Sequence, residues 1–585
     1  MNMNIFLLII SLAFFSTVNC YTMSNAEAWK RRSIYQVLTD RFAIEDENNP
    51  SRGPDHGMRE YCGGTWRGII SKLDYIQGMG FDAVWISPVC FFSLTSVLIA
   101  FTHNSIQITK NIEELTEYGT AYHGYWPEDI YSVNPHFGTA DDLLALSDAL
   151  HARGMFLMVD IVVNHMGSPP TVDYSRYVPF NDSSYYHPQS FVTNYENQQE
   201  TEEGWLGDEH VPLPDLNTED PTVVLTLQTW ITKLVQRFKI DGLRIDTFKH
   251  VRKNFWPDFV RAAGVWSVGE VLSGDPDYLS SYQPYVGGLL DYGTYYPLKR
   301  AFHRDGGSMY ELTNLLTPQY RSKFRDMQQM STFMENHDMP RFTNDTNADL
   351  AVVKNAMAWN LLTDGVPIIY YGQEQSYSGD GDPGSRELMW TSNYNITPLY
   401  QYIARLNQIR KLGWDVGFGT HLTTRLYVED HVAVTQKGPV LMVLTNLGSQ
   451  ARSKTISTPT MFKNGTIIVD ILTGESFRVK RSTNITIVSG EPRIFLPLGL
   501  AENICEQILP PAQSAISKLL SRMFGASSSL KTAAEITDWP YGEPVNSSDI
   551  ILEEKDPVAE QAGAKTLMPS VQESSSPWSI FYTAR

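Results

Sequence analysis

Three apolar runs in this chain each deliver a carboxylate near their C-terminal end. Asp246 follows Gly242-Leu243-Arg244-Ile245, Glu270 follows Trp266-Ser267-Val268-Gly269, and Asp338 closes Phe333-Met334-Glu335-Asn336-His337. Side chains alternate along a strand, so Arg244 and Asp246 share one face while Leu243, Ile245 and Thr247 take the other. Ionised groups are costly to bury unless they are paired or working. A structural ion pair would meet that condition for Arg244 and Asp246 taken alone. The recurrence on three strands points instead to chemistry. Parallel-barrel enzymes gather catalytic groups from the C-terminal ends of several strands, and carboxylates so gathered can attack an electrophilic centre or deliver a proton.

A barrel is what must position them. Strand patterns fall near 33–39, 83–88, 156–163, 242–248, 266–272, 287–292, 331–337 and 366–371. Helical patterns lie between them: Trp66 to Gly80, with Ile69, Leu73 and Ile76 on one face, and a segment capped by Thr139 with Leu143, Leu146 and Leu150 inward. Eight such alternations predict an α/β fold, a (β/α)8 TIM barrel. The stretch from His165 to Asp220 is too long and too rich in Tyr, Asn, Pro and acidic residues for a barrel helix, and reads as a small inserted domain after strand 3. Short β runs from about Thr420 to Pro497 predict a C-terminal all-β sandwich. The expected organisation is a signal peptide at 1–20, barrel at 21–165 and 221–415, inserted domain at 166–220, sandwich at 416–500 and a tail at 509–585 without a packed core.

With 585 residues the chain exceeds one core. Its net charge of -19 argues against a nucleic-acid partner. The apolar run from Ile5 to Phe15, followed by Val18-Asn19-Cys20, fits a cleaved leader and is shorter than a spanning helix, so we expect secretion, without a stable membrane span. Cys62, Cys90 and Cys505 would then allow one disulfide at most. Six sequons, at Asn181, Asn344, Asn395, Asn464, Asn484 and Asn546, fit a secreted glycoprotein.

Four segments together carry a family likeness: Asp160-Ile161-Val162-Val163-Asn164-His165, Gly242 to His250, Gly269-Glu270-Val271 and Glu335-Asn336-His337-Asp338. In this order they resemble the secreted fungal α-amylases of the retaining α-glucosidase superfamily, glycoside hydrolase family 13, over about residues 28–500. Tyr122-His123-Gly124-Tyr125-Trp126 and Leu213-Pro214-Asp215-Leu216 add to the match. The resemblance implies Asp246 as nucleophile, Glu270 as general acid/base and Asp338 as the carboxylate that holds the sugar. Retention implies the first two carboxyls about 5–5.5 Å apart. Arg244 should favour the ionised nucleophile, and apolar surroundings with neighbouring carboxylates should keep Glu270 protonated. The likeness further implies substrate contacts from His123, Tyr125, Trp126, His165 and His337, from Asp382 and Arg386 on the non-reducing side, and from Lys249 and His250 on the leaving-group side. It implies a calcium ion held by Asn164, Glu202, Asp215 and the backbone carbonyl of His250, all oxygen donors.

The expected activity is endo-hydrolysis of α-1,4-glucan by a secreted, calcium-dependent monomer, with cell-wall association open. A 4-α-glucanotransferase on the same scaffold, and a catalytically weak carbohydrate-binding wall protein, are the alternatives. The chain departs from its relatives in its disulfides, with Ser190 and Gly204 where a cysteine pair is expected and Cys62 lacking its partner. It departs again at Cys90–Ile108, where 19 residues without any Asp, Glu, Lys or Arg interrupt the pattern that runs from Pro88-Val89 to Thr109-Lys110. That stretch is either a flap touching membrane or substrate, or a short intron read through in frame. Sequencing the mature transcript decides: we expect a message joining Val89 directly to Thr109, and one encoding Cys90 through Ile108, with matching peptides, would contradict this.

Overall fold

A computed structural model describes residues 26–45, 58–89, 116, 118–303 and 307–508. Residues 1–25, with the expected leader, the Cys90–Ile108 stretch and the expected tail from 509 lie outside the described residues.

Ten strands precede the C-terminal region: β1 (Ile34–Val37), β2 (Ala83–Ile86), β3 (Phe156–Ile161), β4 (Leu206–Gly207), β5 (Pro212–Leu213), β6 (Gly242–Ile245), β7 (Trp266–Gly269), β8 (Gly288–Leu289), β9 (Ser331–Thr332) and β10 (Val366–Tyr370). Eight of them form one sheet in the order β8-β7-β6-β3-β2-β1-β10-β9, and every neighbouring pair is parallel. A parallel bridge from Leu290 to Ser331, supported by the Asp291 amide donating to the Ser331 carbonyl at 2.9 Å, joins the two outer strands and closes the barrel. The expected (β/α)8 fold is therefore present, although β8 and β9 are only two residues each.

Period-two alternation decides what faces inward. On β3, Leu157, Val159 and Ile161 pack outward into the large apolar core shared with the surrounding helices, while Met158 belongs to an inner cluster with Ile34, Ala83, Trp85, Val268 and Ile368. The same alternation turns Asp160 and, on β6, Arg244 to the interior, where both are fully buried. Thr139 caps the helix Ala140–His151 in a reciprocal capping box with Asp142. The helix expected over Trp66 to Gly80 is instead two pieces, Trp66–Ser71 and Leu73–Gly78, broken at Lys72 (φ -110, ψ 10). The apolar spacing runs on across that break, so periodicity could not reveal it.

Between β3 and the helix Pro221–Phe238 lie 3-10 turns, the helix Gln198–Glu203 and the β4–β5 hairpin. A small apolar cluster of Ala121, Trp126, Val192, Leu206, Val211 and Leu213 binds this segment to the loop after β2. The C-terminal strands are β11 (Thr424–Glu429), β12 (Val432–Lys437), β13 (Val440–Thr445), β14 (Lys454–Thr458), β15 (Ile467–Asp470), β16 (Ser476–Arg478), β17 (Thr483–Ile487) and β18 (Arg493–Pro497). A six-stranded sheet, β11-β12-β13-β18-β15-β16, packs through Val434, Val443, Ile468 and Phe495 onto Ile456, Ile485 and Ile487 of the β14–β17 pair.

A buried ion cluster joins this domain to the barrel. Asp364 accepts from Lys437 Nζ at 3.0 Å, the Thr423 amide at 3.0 Å and Arg321 Nη2 at 2.5 Å. Burial pulls Lys437 down to about 8 against the pull of Asp364. Burial alone would raise Asp364, but Lys437 and Arg321 outweigh it and hold the carboxyl below its usual value. Removing one partner of a buried pair costs about 3–5 kcal/mol, because the other charge stays behind. Asp364→Asn is expected to lower the melting temperature while sparing kcat measured well below it. An unchanged melting curve would show that the bridge does not couple the two domains.

Candidate active site

The site begins where β6 ends. Arg244 is completely buried, and its Nη1 donates to Asp160 Oδ1 at 3.0 Å and to Asp246 Oδ1 at 2.7 Å. Its Nη2 lies 2.8 Å from Glu270 Oε2. One guanidinium therefore touches carboxylates from three successive strand ends, β3, β6 and β7. Thr247, directly after Asp246, sits in the left-handed region (φ 48, ψ 36), unusual for a β-branched residue. That turn aims its amide at Glu270 Oε2, 3.2 Å away. Glu270 Oε1 remains on the cleft side, where the Tyr292 hydroxyl donates to it at 3.4 Å and itself accepts from Asn336 Nδ2 at 3.3 Å.

A second cluster faces the first. Gln36 Nε2 donates to His337 Nδ1 at 2.9 Å, which leaves the ring proton on Nε2, 3.2 Å from Asp338 Oδ2. Arg386 Nη2 donates to Asp338 Oδ1 at 3.3 Å, its Nη1 lies 2.9 Å from Asp382 Oδ1, and its Nε donates to the His337 carbonyl at 2.9 Å. Tyr125 joins the clusters: its ring stacks on His337 at 5.2 Å, 2° from parallel, and its hydroxyl donates to Asp160 Oδ2 at 2.7 Å. His123, Tyr125, His165, Asp246, Lys249, His250, Glu270, His337, Asp338 and Arg386, ten of the sequence-derived residues, line one cleft of about 790 Å³ counting its open mouth. That is ample for several sugar rings.

Burial dominates the electrostatics. It pushes Glu270 above the usual glutamate range, with Asp246 and Asp338 adding to the rise and Arg244 opposing it. Asp246 is also raised by burial, against the pull of Arg244, so the cation alone does not set this carboxyl low as the sequence suggested. Arg244 nonetheless gives Asp246 a directional hydrogen bond at 2.7 Å, whereas its Nη2 near Glu270 makes none. Of the two, Glu270 is the better place for a proton. Burial pulls His165 down to about 4 and takes His123, His250 and His337 well below the usual histidine value, leaving all four neutral near pH 7. They can hydrogen-bond hydroxyl groups without adding charge. Burial also lowers Lys249, whose Nζ reaches the Leu272 carbonyl at 3.3 Å.

Two sequence-derived contacts sit apart from the cleft wall. Trp126 is buried in the apolar cluster of the inserted segment, its ring edge-on to His123 at 4.5 Å. It packs against His123, which lines the cleft. Asp382 stands behind Arg386 and accepts from the Tyr122 hydroxyl at 3.3 Å. Sequence reasoning missed Asp160, Tyr122, Thr247, Leu206, Leu272, Tyr292 and Met339. Asp160 had left a signal, being the one acid in the apolar run from Met155 to Val163. Burial raises it to about 7, against the pull of Arg244.

The residues implied for calcium converge on the junction between barrel and insert. A backbone bridge pairs His165 with Asp215, and His250 Nδ1 meets the Thr201 carbonyl at 3.0 Å. Asn164 Oδ1 and Asp215 Oδ1 are both buried without a hydrogen-bond partner, which suits ligands of a hard cation. Glu202 instead turns its carboxylate to Gln198 Nε2 at 2.7 Å. Among the described residues no group of three or more His, Cys, Asp or Glu is placed to hold a metal.

Comparison with known proteins follows the same lines. Residues 36–415 match the alpha amylase catalytic domain and residues 425–507 match alpha-amylase domain C. Alpha-amylase 2 of Schwanniomyces occidentalis is 45% identical over 492 residues, covering 82% of this chain and 92% of that protein. The alpha-amylase of Saccharomycopsis fibuligera is 43% identical over 488 residues, covering 82% and 94%. The solved structure of an alpha-amylase from Malbranchea cinnamomea superposes with a TM-score of 0.75 at 45% identity, covering 81% of this chain and 98% of that one. With both domains matched in order around a closed barrel, the chain belongs to the alpha-amylase family.

Proposed function

We propose that the protein is an endo-acting α-amylase, hydrolysing α-1,4-glucosidic bonds of starch- or glycogen-type glucans with retention of configuration. The observation that carries this reading is the buried Arg244 guanidinium touching Asp246 and Glu270 at once, with Asp338 facing them across the cleft. In the first step Asp246 attacks the anomeric carbon as Glu270 protonates the departing glycosidic oxygen, leaving a glycosyl ester on Asp246. In the second, the Glu270 carboxylate takes a proton from water, which attacks the same carbon and releases Asp246. Asp338, His337 and Arg386 hold the sugar's hydroxyls through the oxocarbenium-like transition state. Asp246→Asn removes the nucleophile with little change of volume, and kcat is expected to fall by several orders of magnitude with the melting curve preserved. Near-normal activity would reassign the nucleophile.

The family's calcium ion fits Asn164, Asp215 and the His250 carbonyl, with Glu202 the remaining candidate; the two orphaned oxygens support this. When bound, the ion would supply positive charge beside Asp215, whose carboxyl burial raises to about 7 against the pull of His187, 2.7 Å away. The chain's own contribution is to tie the inserted segment, and with it Leu206 of the cleft, to β3 and β6. Binding to the native state alone stabilises it by mass action. Excess chelator is therefore expected to lower melting temperature and activity together, with calcium restoring both; an unchanged melting curve would remove calcium from this account.

We also read the enzyme as a secreted glycoprotein. The described sequon asparagines, Asn181, Asn344, Asn395, Asn464 and Asn484, are all exposed. Hydrolysis and transfer share the glycosyl-enzyme and differ in the acceptor, so products distinguish them. Chromatography of maltopentaose digests is expected to show only shorter oligosaccharides at early times. Longer products dominating early would make the protein a 4-α-glucanotransferase.

A further inference from the structure

Asp338 and Arg386 ride on different loops, one following β9 and the other following β10, yet they must stay within hydrogen-bonding distance of each other to hold one sugar. Loops do not keep such a distance unaided. Three residues after Asp338 comes Arg341, fully buried, which no step of the reaction uses. Its Nη1 donates to Glu335 Oε1 at 2.9 Å and to the Tyr371 carbonyl at 2.7 Å, and its Nε donates to Glu387 Oε2 at 2.9 Å. The guanidinium also lies 4.2 Å from the centre of the Tyr370 ring, a cation–π contact.

Its partners are fastened in turn. Glu335 Oε2 accepts the Phe342 amide at 2.7 Å, so the loop carrying His337 and Asp338 is closed on itself across Arg341. Glu387 Oε1 accepts the Gly379 amide at 2.9 Å, and the Arg341 amide donates to the Gly379 carbonyl at 2.9 Å. Glu387 is the neighbour of Arg386, and Glu335 lies three positions before Asp338. One planar guanidinium thus fixes both loops at the base of the sugar-holding pair. None of Glu335, Arg341 and Glu387 lines the cleft. A lysine there could not reproduce the fork, since an ammonium offers a point charge in place of five fixed donors.

We infer that Arg341, clasped between Glu335 and Glu387, is a positioning residue that sets the Asp338–Arg386 pair for the sugar on the non-reducing side. The inference rests on the proposed roles of Asp338 and Arg386. Misplacing a reacting group by about 1 Å can cost about 100-fold in rate, so a loosened clasp should register in kcat/KM well before the fold fails.

The test is a double-variant cycle on maltopentaose hydrolysis, with a melting curve for each variant and rates taken well below the lowest melting temperature. Asp338→Asn controls the underlying reading: if it keeps wild-type activity, that reading fails and the inference with it. With Asp338→Asn impaired, Arg341→Lys is expected to lower kcat/KM by about 10- to 100-fold. Combined with Arg386→Lys, it should cost no more than Arg386→Lys alone, because both act through the same pair. A merely structural role would lower the melting temperature and leave that coupling absent. A folded Arg341→Lys with wild-type kcat/KM, or losses that multiply in the double variant, overturns the inference while leaving the proposed function standing. Should Arg341→Lys not fold, Glu387→Gln decides in its place, since that side chain is 24% exposed and tolerates change better. A loss from it that does not add to that of Arg386→Lys supports the clasp, and full activity or multiplied losses overturn it.

Discussion

The structure depends on burying one guanidinium completely. Arg244 has no contact with solvent, and it is surrounded by Asp160, Asp246 and Glu270. One cation cannot neutralise three carboxylates, and a low-dielectric interior will not hold the surplus negative charge. Burial accordingly raises all three carboxyls, Asp160 to about 7, against the pull of that one cation. Two of the three accept directional bonds from Arg244 Nη1, while Glu270 accepts from the Thr247 amide and the Tyr292 hydroxyl, with Arg244 Nη2 approaching it without a hydrogen bond. The imbalance of charge that would be a defect in a structural core is what a retaining glycosidase requires: one ionised and one protonated carboxyl facing the same bond.

The barrel makes this arrangement affordable. Parallel strands of matching register put Asp160 beside Arg244 and Arg244 beside Val268 on adjacent strands, so the charged groups emerge side by side at one rim. Apolar side chains fill the interior below them and the helix-facing side of each strand. Around the rim, polar contacts hold each loop to its neighbour: Tyr125 to Asp160 and His337, Arg386 to Tyr122 and Asp338, Arg341 to Glu335 and Glu387. Buried, neutral histidines complete the lining without adding to the charge problem.

Much of this was legible from residue order, and the exceptions have physical reasons. The eight strands showed because a strand covered on both faces must be apolar for several consecutive residues. The three carboxylates showed because each interrupts such a run at its end. Asp160 was harder to see as part of the site, since its pairing with Arg244 crosses 84 residues and only the closed sheet brings them together. Trp126 packs with the insert's apolar cluster while its neighbour Tyr125 lines the cleft, because alternation in a loop does not follow a fixed period. The break at Lys72 was hidden by apolar spacing that continues through it. The Arg341 clasp left no local signal at all, being built from three loop residues that only the tertiary fold unites.

The central claim is a covalent intermediate on Asp246, and the most direct measurement is to trap it. In a Glu270→Gln variant, maltosyl fluoride can still glycosylate the nucleophile, because fluoride leaves without a proton, but the ester then lacks a base to hydrolyse it. The account predicts a protein heavier by one maltosyl group, with the label mapping to the peptide that contains Asp246. Fluoride release without a covalent adduct, or a label on any other residue, would contradict it.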